Sequence, residues 1–208
     1  MTAEKCGECF VGGTDSRLAE LTQAILRATD PYTAHHQDRV AHISMAMGRE
    51  LKLSECQLTV LFYAGLVHDM GKVAIPLQLL TKPSSLMKEE VLLLRTHVKH
   101  GVDILSGVGF CEEVVSIIAA HHERLDGTGY PAGASGDRIP MLARILSVAD
   151  VFEAMTSHRP YHPSKGFEAA MAELRTGAGR LYDKDAVAAL ESAIQHHPGN
   201  DLLDSIGS

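Results

Sequence analysis

The chain has 208 residues, 45% hydrophobic and 22% charged, with a formal net charge of −7 when its histidines are neutral. That length suits one domain with an ample core. The acidic balance and 5% aromatic content exclude a global field that attracts polyanions and a stacking surface for nucleic-acid polymers.

No basic n-region with an apolar stretch opens the chain, and the longest apolar run, Leu58 to Val67, is too short to span a bilayer. A cytoplasmic protein with no membrane partner is expected. Residues 1–13 lack periodicity and read as a tail or linker remnant. They hold Cys6 and Cys9 in a C-x-x-C with no second pair at zinc-ribbon spacing. Cys56 and Cys111 fall in helical patterns and are expected to pack as small apolar side chains.

From Asp15 the pattern turns helical, with Leu18, Leu21, Ile25 and Leu26 on one face. Asp30-Pro31 ends that helix, because the residue before proline avoids the α region. A second helix is predicted from about Thr33 to Leu51, carrying His36, Val40, Ile43 and Met47. Ser54 and Gln57 form a capping box for a third helix, which runs through Val67. Gly71 to Leu80 reads as a connector. Ser84 or Ser85 is expected to cap one helix from about Met87 to Ser106, and Glu112 to His122 forms another.

Glu123 to Ile139 is a long loop rich in Gly, Pro and Asp, and unstructured loops of that length are usually functional. Pro140 fits the first turn of a helix running to about Met155. Two more helices follow, near 165–175 and 183–195. Leu92–Leu94 and Val114–Ala120 read as core. No stretch alternates with a two-residue period, so the fold class is all-α: a helical bundle with one long Gly/Pro-rich loop.

Twelve histidines are the compositional outlier, and histidine is the commonest metal ligand. His36 falls in the first turn of its helix, His68-Asp69 at the end of another, and His97 late in a third. His121-His122 end a fourth, and Asp150 lies inside the helix after the loop. Packed around one axis, five imidazoles and two carboxylates converge, as metal sites in bundle cores do. A nitrogen and oxygen donor set without thiolate favours Fe, Mn, Zn or a related divalent ion. Seven groups are too many for one open metal and suit two, with Asp69 as the natural bridge.

Two such ions form a clamp for in-line displacement at phosphorus. Neither a G-x-S-x-G elbow nor a P-loop is present. Lys72, three residues past Asp69, is placed to neutralise a phosphate oxygen as charge builds.

Five motifs in order, His68-Asp69-Met70-Gly71-Lys72, His121-His122-Glu123, Asp126-Gly127-Thr128-Gly129-Tyr130-Pro131, Val148-Ala149-Asp150 and Arg159-Pro160-Tyr161, together resemble the HD-GYP family. This is the branch of the HD phosphohydrolase superfamily that degrades cyclic di-GMP. The resemblance runs from about Asp30 to Leu190, and the domain is expected to occupy 14–200, with a C-terminal tail at 201–208.

The resemblance implies an HD-domain bundle whose metal ligands are His36, His68, Asp69, His97, His121, His122 and Asp150. It implies that Asp69 bridges two ions, Fe or Mn foremost, that Lys72 contacts substrate phosphate, and that Arg159 lies near the substrate pocket. It further implies hydrolysis of cyclic di-GMP to pGpG or GMP through a metal-bridging hydroxide. The Gly127–Pro131 loop would be a docking surface for diguanylate cyclase domains. Some members hold a third metal through a Glu four residues before the first ligand His. Here that position is Tyr32, a phenol that stays protonated at neutral pH, so two metals are expected. His35, beside His36, is expected at the rim or in solvent. Two other readings stand beside this one: hydrolysis of another cyclic dinucleotide such as cyclic GMP-AMP, and a non-catalytic sensor or scaffold.

Overall fold

The computed structural model describes residues 14–157 and 164–196. Arg159, the Cys6/Cys9 pair and the expected tails at 1–13 and 201–208 lie outside the described residues. Ten α-helices are found in the described part: α1 (Thr14–Thr29), α2 (Pro31–Glu50), α3 (Glu55–Val67), α4 (Leu77–Leu80), α5 (Lys88–Arg95), α6 (His97–Gly107), α7 (Glu112–Ala120), α8 (Met141–Thr156), α9 (Phe167–Gly177) and α10 (Lys184–His196). Two 3₁₀ turns, Met70–Ala74 and Gly136–Arg138, interrupt the connector and the long loop. An isolated bridge between Ala178 and Tyr182 is the only β-type pairing among the described residues. The all-α expectation holds.

Asp30 does two jobs. Its backbone ends α1, and its side chain accepts from the Thr33 N–H (3.1 Å) to cap α2, with Pro31 in the first turn. The second helix therefore starts two residues earlier than predicted, and His36 falls in its second turn. The Ser54–Gln57 capping box forms as read: Gln57 N–H donates to Ser54 Oγ (3.3 Å), and Ser54 N–H donates to Gln57 Oε1 (3.1 Å).

The core is the shared apolar face of α2, α3, α7 and α8, where Val40, Ile43, Met47, Leu61, Ile117, Ile118, Leu146 and Phe152 are buried. α2 packs against α1, α3, α8 and α10. Cys111 is buried with a free thiol, whereas Cys56 is only half-buried near the start of α3.

Three sequence readings are corrected. In α1, Leu21 and Ile25 are exposed, while Ala19, Thr22, Gln23 and Leu26 face inward. The buried amide of Gln23 donates to the Leu66 carbonyl (2.5 Å), and that polar anchor turns the helix away from its most apolar face. The predicted helix 87–106 is two helices that break at Thr96. Met87 precedes α5, where neither predicted serine does, and Glu90 accepts from the Met87 N–H (2.7 Å). Leu92 and Leu93 are exposed, at 63% and 45%, so this run is surface, not core.

The turn after α3 is held by very close packing. A Cβ added to Gly71 would lie 1.9 Å from the His97 carbonyl oxygen and 2.4 Å from Gly101 N, so the 3₁₀ turn rests directly on the backbone of α6. Replacing Gly71 with Ala must push these backbones apart. Gly71→Ala is expected to lower stability by about 1–3 kcal/mol, read as a fall in thermal melting temperature. An unchanged melt would show that the contact is not a constraint.

Candidate metal centre

The sequence-predicted residues His36, His68, Asp69, His97, His121, His122 and Asp150 converge at one place. All are buried except His122, which is partly buried. Their donor atoms form overlapping groups: Asp69 with His97, His121 and His122; His36 and His68 with Asp69; and His68 and His121 with Asp150. Asp69 belongs to two of them, and its oxygens divide between the sides. Oδ2 lies 3.6 Å from His36 Nε2 and 3.4 Å from His68 Nε2, while Oδ1 lies 3.3 Å from His97 Nε2. Asp150 divides likewise, with Oδ1 3.1 Å from His36 Nε2 and Oδ2 3.8 Å from His122 Nδ1.

Local folding explains how the imidazoles are aimed. His68, His97 and His121 each lie just past a helix end, where the carbonyls of the last turn lack helical partners. Each donates from Nδ1 to the carbonyl three residues back: His68 to Gly65 (2.8 Å), His97 to Leu94 (2.7 Å) and His121 to Ile118 (2.6 Å). That bond assigns the proton to Nδ1 and leaves an Nε2 lone pair pointing inward. All three Nε2 atoms are buried and have no hydrogen-bond partner among the described residues. The break at Thr96 therefore has a purpose: it frees the Leu94 carbonyl that orients His97.

His36 is aimed differently. Its Nδ1 hydrogen bonds to Glu153, fully buried one turn after Asp150 on α8. Glu153 Oε1 also accepts from Arg39 Nε (2.5 Å) and Ser157 Oγ (2.5 Å). This is the carboxylate–histidine arrangement of metal sites. Gln37, with its amide turned to suit its neighbours, accepts from the N–H groups of Asp69 (3.0 Å) and Met70 (3.2 Å) and so fixes the turn that carries Asp69. Sequence reasoning missed Glu153, Arg39 and Gln37. The available signals were the three-residue spacings His36–Arg39 and Asp150–Glu153, each one helical turn.

Electrostatics suit the same purpose at His97, His121 and His122. Burial, reinforced by His68, pushes His121 down to about 3. Burial also lowers His97, and burial with His121 holds His122 well below the usual imidazole range. These rings are neutral, the ligating form. Burial opposes ionisation of Asp69, but Lys72 and His68 outweigh it and keep the carboxylate charged. Burial likewise works against the charge on His36, yet Glu153 and Asp150 bring it to about 9.

The residues fit a group of divalent cations: orphaned inward Nε2 atoms on buried imidazoles, and two ionised carboxylates shared between them. Lys72 reaches back to Asp69 Oδ2 (2.5 Å) and also lines a cavity of about 570 Å³ bordered by Tyr32, Leu77, Lys82 and Leu94. That volume lies within the range of small-molecule sites, about 300–1,000 Å³. His35 is exposed, as expected.

The chain belongs to the HD domain family, whose model matches residues 20–186. Within that family it carries the HD-GYP motifs. It is 40% identical over 175 residues to the cyclic di-GMP phosphodiesterase response regulator RpfG of Xanthomonas campestris, covering 83% of this chain and 46% of that protein. It is 34% identical over 174 residues to the 3′3′-cGAMP-specific phosphodiesterase 3 of Vibrio cholerae, covering 84% and 38%. The chain thus spans less than half the length of these curated relatives. Its fold matches the crystal structure of a cyclic GMP-AMP phosphodiesterase of Vibrio cholerae, with a TM-score of 0.67 at 24% identity over 92% of this chain and 51% of that one. It also matches the PgpH HD domain of Listeria monocytogenes, with a TM-score of 0.63 at 15% identity over 90% and 99%. Among the described residues no helix is long and apolar enough to cross a membrane.

Glu153→Gln keeps the shape and removes the charge that orients His36. Metal affinity is expected to fall about 10–100-fold, measured by titration of metal-stripped protein. Wild-type affinity in this variant would remove Glu153 from the centre.

Proposed function

We propose that residues 14–200 form a metal-dependent phosphodiesterase domain that hydrolyses cyclic di-GMP to pGpG or GMP. The observation that carries this reading is the division of Asp69 between two histidine groups, which suits a pair of ions sharing one carboxylate. His36 and His68 would hold one ion, His97, His121 and His122 the other, with Asp150 reaching both. The ions when bound supply Lewis-acid activation of water and offset the charge that develops on phosphorus. Fe or Mn is the expected identity from the nitrogen and oxygen donors.

The chain's own residues do the rest. Lys72, which lines the cavity, donates to a non-bridging phosphate oxygen as negative charge builds. Its salt bridge to Asp69 anchors it beside the centre. The helix-end hydrogen bonds hold His68, His97 and His121 each in one tautomer, so these rings need no reorientation on ion binding. Arg159 is proposed near the substrate pocket on the resemblance alone. So is docking of diguanylate cyclase domains by the Gly127–Pro131 loop, for which Asp126, Thr128 and Pro131 are exposed.

Hydrolysis of 3′3′-cGAMP is a second reading, favoured by the named activity of three relatives from Vibrio cholerae and by a ligand set that grips phosphate and not base. Mn- or Fe-loaded protein is expected to turn over cyclic di-GMP faster than 3′3′-cGAMP. His68→Ala should abolish turnover beyond the roughly 10–100-fold cost of changes outside the ligand set. Binding of cyclic di-GMP with no turnover by either metal form would instead support a sensor.

Tyr32 stands one turn before His36, where a third ligand carboxylate would stand, and metal content is therefore expected near two per chain. Three ions per chain by elemental analysis would contradict that count.

A further inference from the structure

Four of the five clustered imidazoles have a hydrogen bond that fixes the ring: three to helix-end carbonyls and one to Glu153. For His122 no such bond is present among the described residues. Its ring instead lies face to face with Tyr130, at 4.7 Å between centroids and 29° between planes, a stacked geometry. Arg95 also lies over the Tyr130 ring, its guanidinium carbon 4.6 Å from the ring centroid, within cation–π range.

The backbone drives the stack together. Tyr130 N–H donates to the His122 carbonyl (3.3 Å), and Ala132 N–H donates to Glu123 Oε1 (2.7 Å). A Cβ on Gly129 would lie 2.4 Å from Glu123 Cα, so only glycine lets the loop fold back this far. The segment Gly129-Tyr130-Pro131 is thus pressed against the residue that needs orienting.

We propose that Tyr130 is the positioning residue for His122, acting through its ring face, and that Arg95 of α5 clamps Tyr130 in place. The stack does for His122 what a backbone carbonyl does for its neighbours. It also ties the second ion's ligands, His97 and His122, to the helix that precedes His97. This inference rests on the reading of the cluster as a two-ion centre.

The test uses the full chain, stripped of metal and titrated with Co²⁺, reading ions bound per chain and the visible cobalt spectrum, with melting temperature as the folding control. Wild-type protein that binds no Co²⁺ would overturn the centre itself. With the centre intact, Tyr130→Phe should retain both affinities and the spectrum, because the ring face remains. Tyr130→Leu should weaken one ion by about tenfold or more and leave the other unchanged. Wild-type binding in Tyr130→Leu, or equal loss in Tyr130→Phe, would overturn the proposal. If Tyr130→Leu does not fold, Arg95→Ala at an exposed position decides. A fall of about two- to fivefold for one ion supports the clamp, and unchanged binding refutes it.

Discussion

Three buried imidazole nitrogens without hydrogen-bond partners among the described residues are the constraint on which this structure turns. An unsatisfied buried polar atom costs about 1–3 kcal/mol, and a whole domain is stable by only about 5–15 kcal/mol. Three such atoms aimed at the same two carboxylates are therefore not an accident of packing. They are tolerable because a cation can take their lone pairs, and the fold is arranged so that nothing else does.

The rest of the architecture follows from holding those nitrogens still. Helices end where the ligands are needed, because the last turn offers the carbonyls that set each tautomer. The break between α5 and α6 interrupts a sequence that reads as continuous helix, and the carbonyl exposed there orients His97. Gly71 lets the turn with Asp69 and Lys72 lie directly on α6. Gln37 and Gln23 spend buried amides on the backbone around that turn, which is why α1 faces inward with a polar residue while Leu21 and Ile25 meet solvent.

Much of the centre was legible in the chain because metal ligands are chemically conspicuous. An excess of histidine, two dipeptides at helix ends and a lone aspartate in a helix name all seven groups, and each lies in the cluster. The supports around them were not legible. Glu153 and Arg39 look like an ordinary charged pair until folding buries them, and Gln37 looks like a polar helix residue. Leu92 and Leu93 misled for the converse reason: an apolar run shows that burial is favourable, not that a surface exists to bury it. The signature loop, read as an outward docking surface, has Tyr130 turned inward against His122.

By itself the sequence determined the all-α class, most helix positions and the identity of the ligand-type residues, since periodicity and side-chain chemistry are local properties. Tertiary structure alone decided how Asp69 and Asp150 divide between two groups of histidines. It alone decided which nitrogen of each ring faces inward and which residue orients each ring. Those choices depend on distances between atoms as much as 117 positions apart in the chain, as for His36 and Glu153, and no local pattern encodes them.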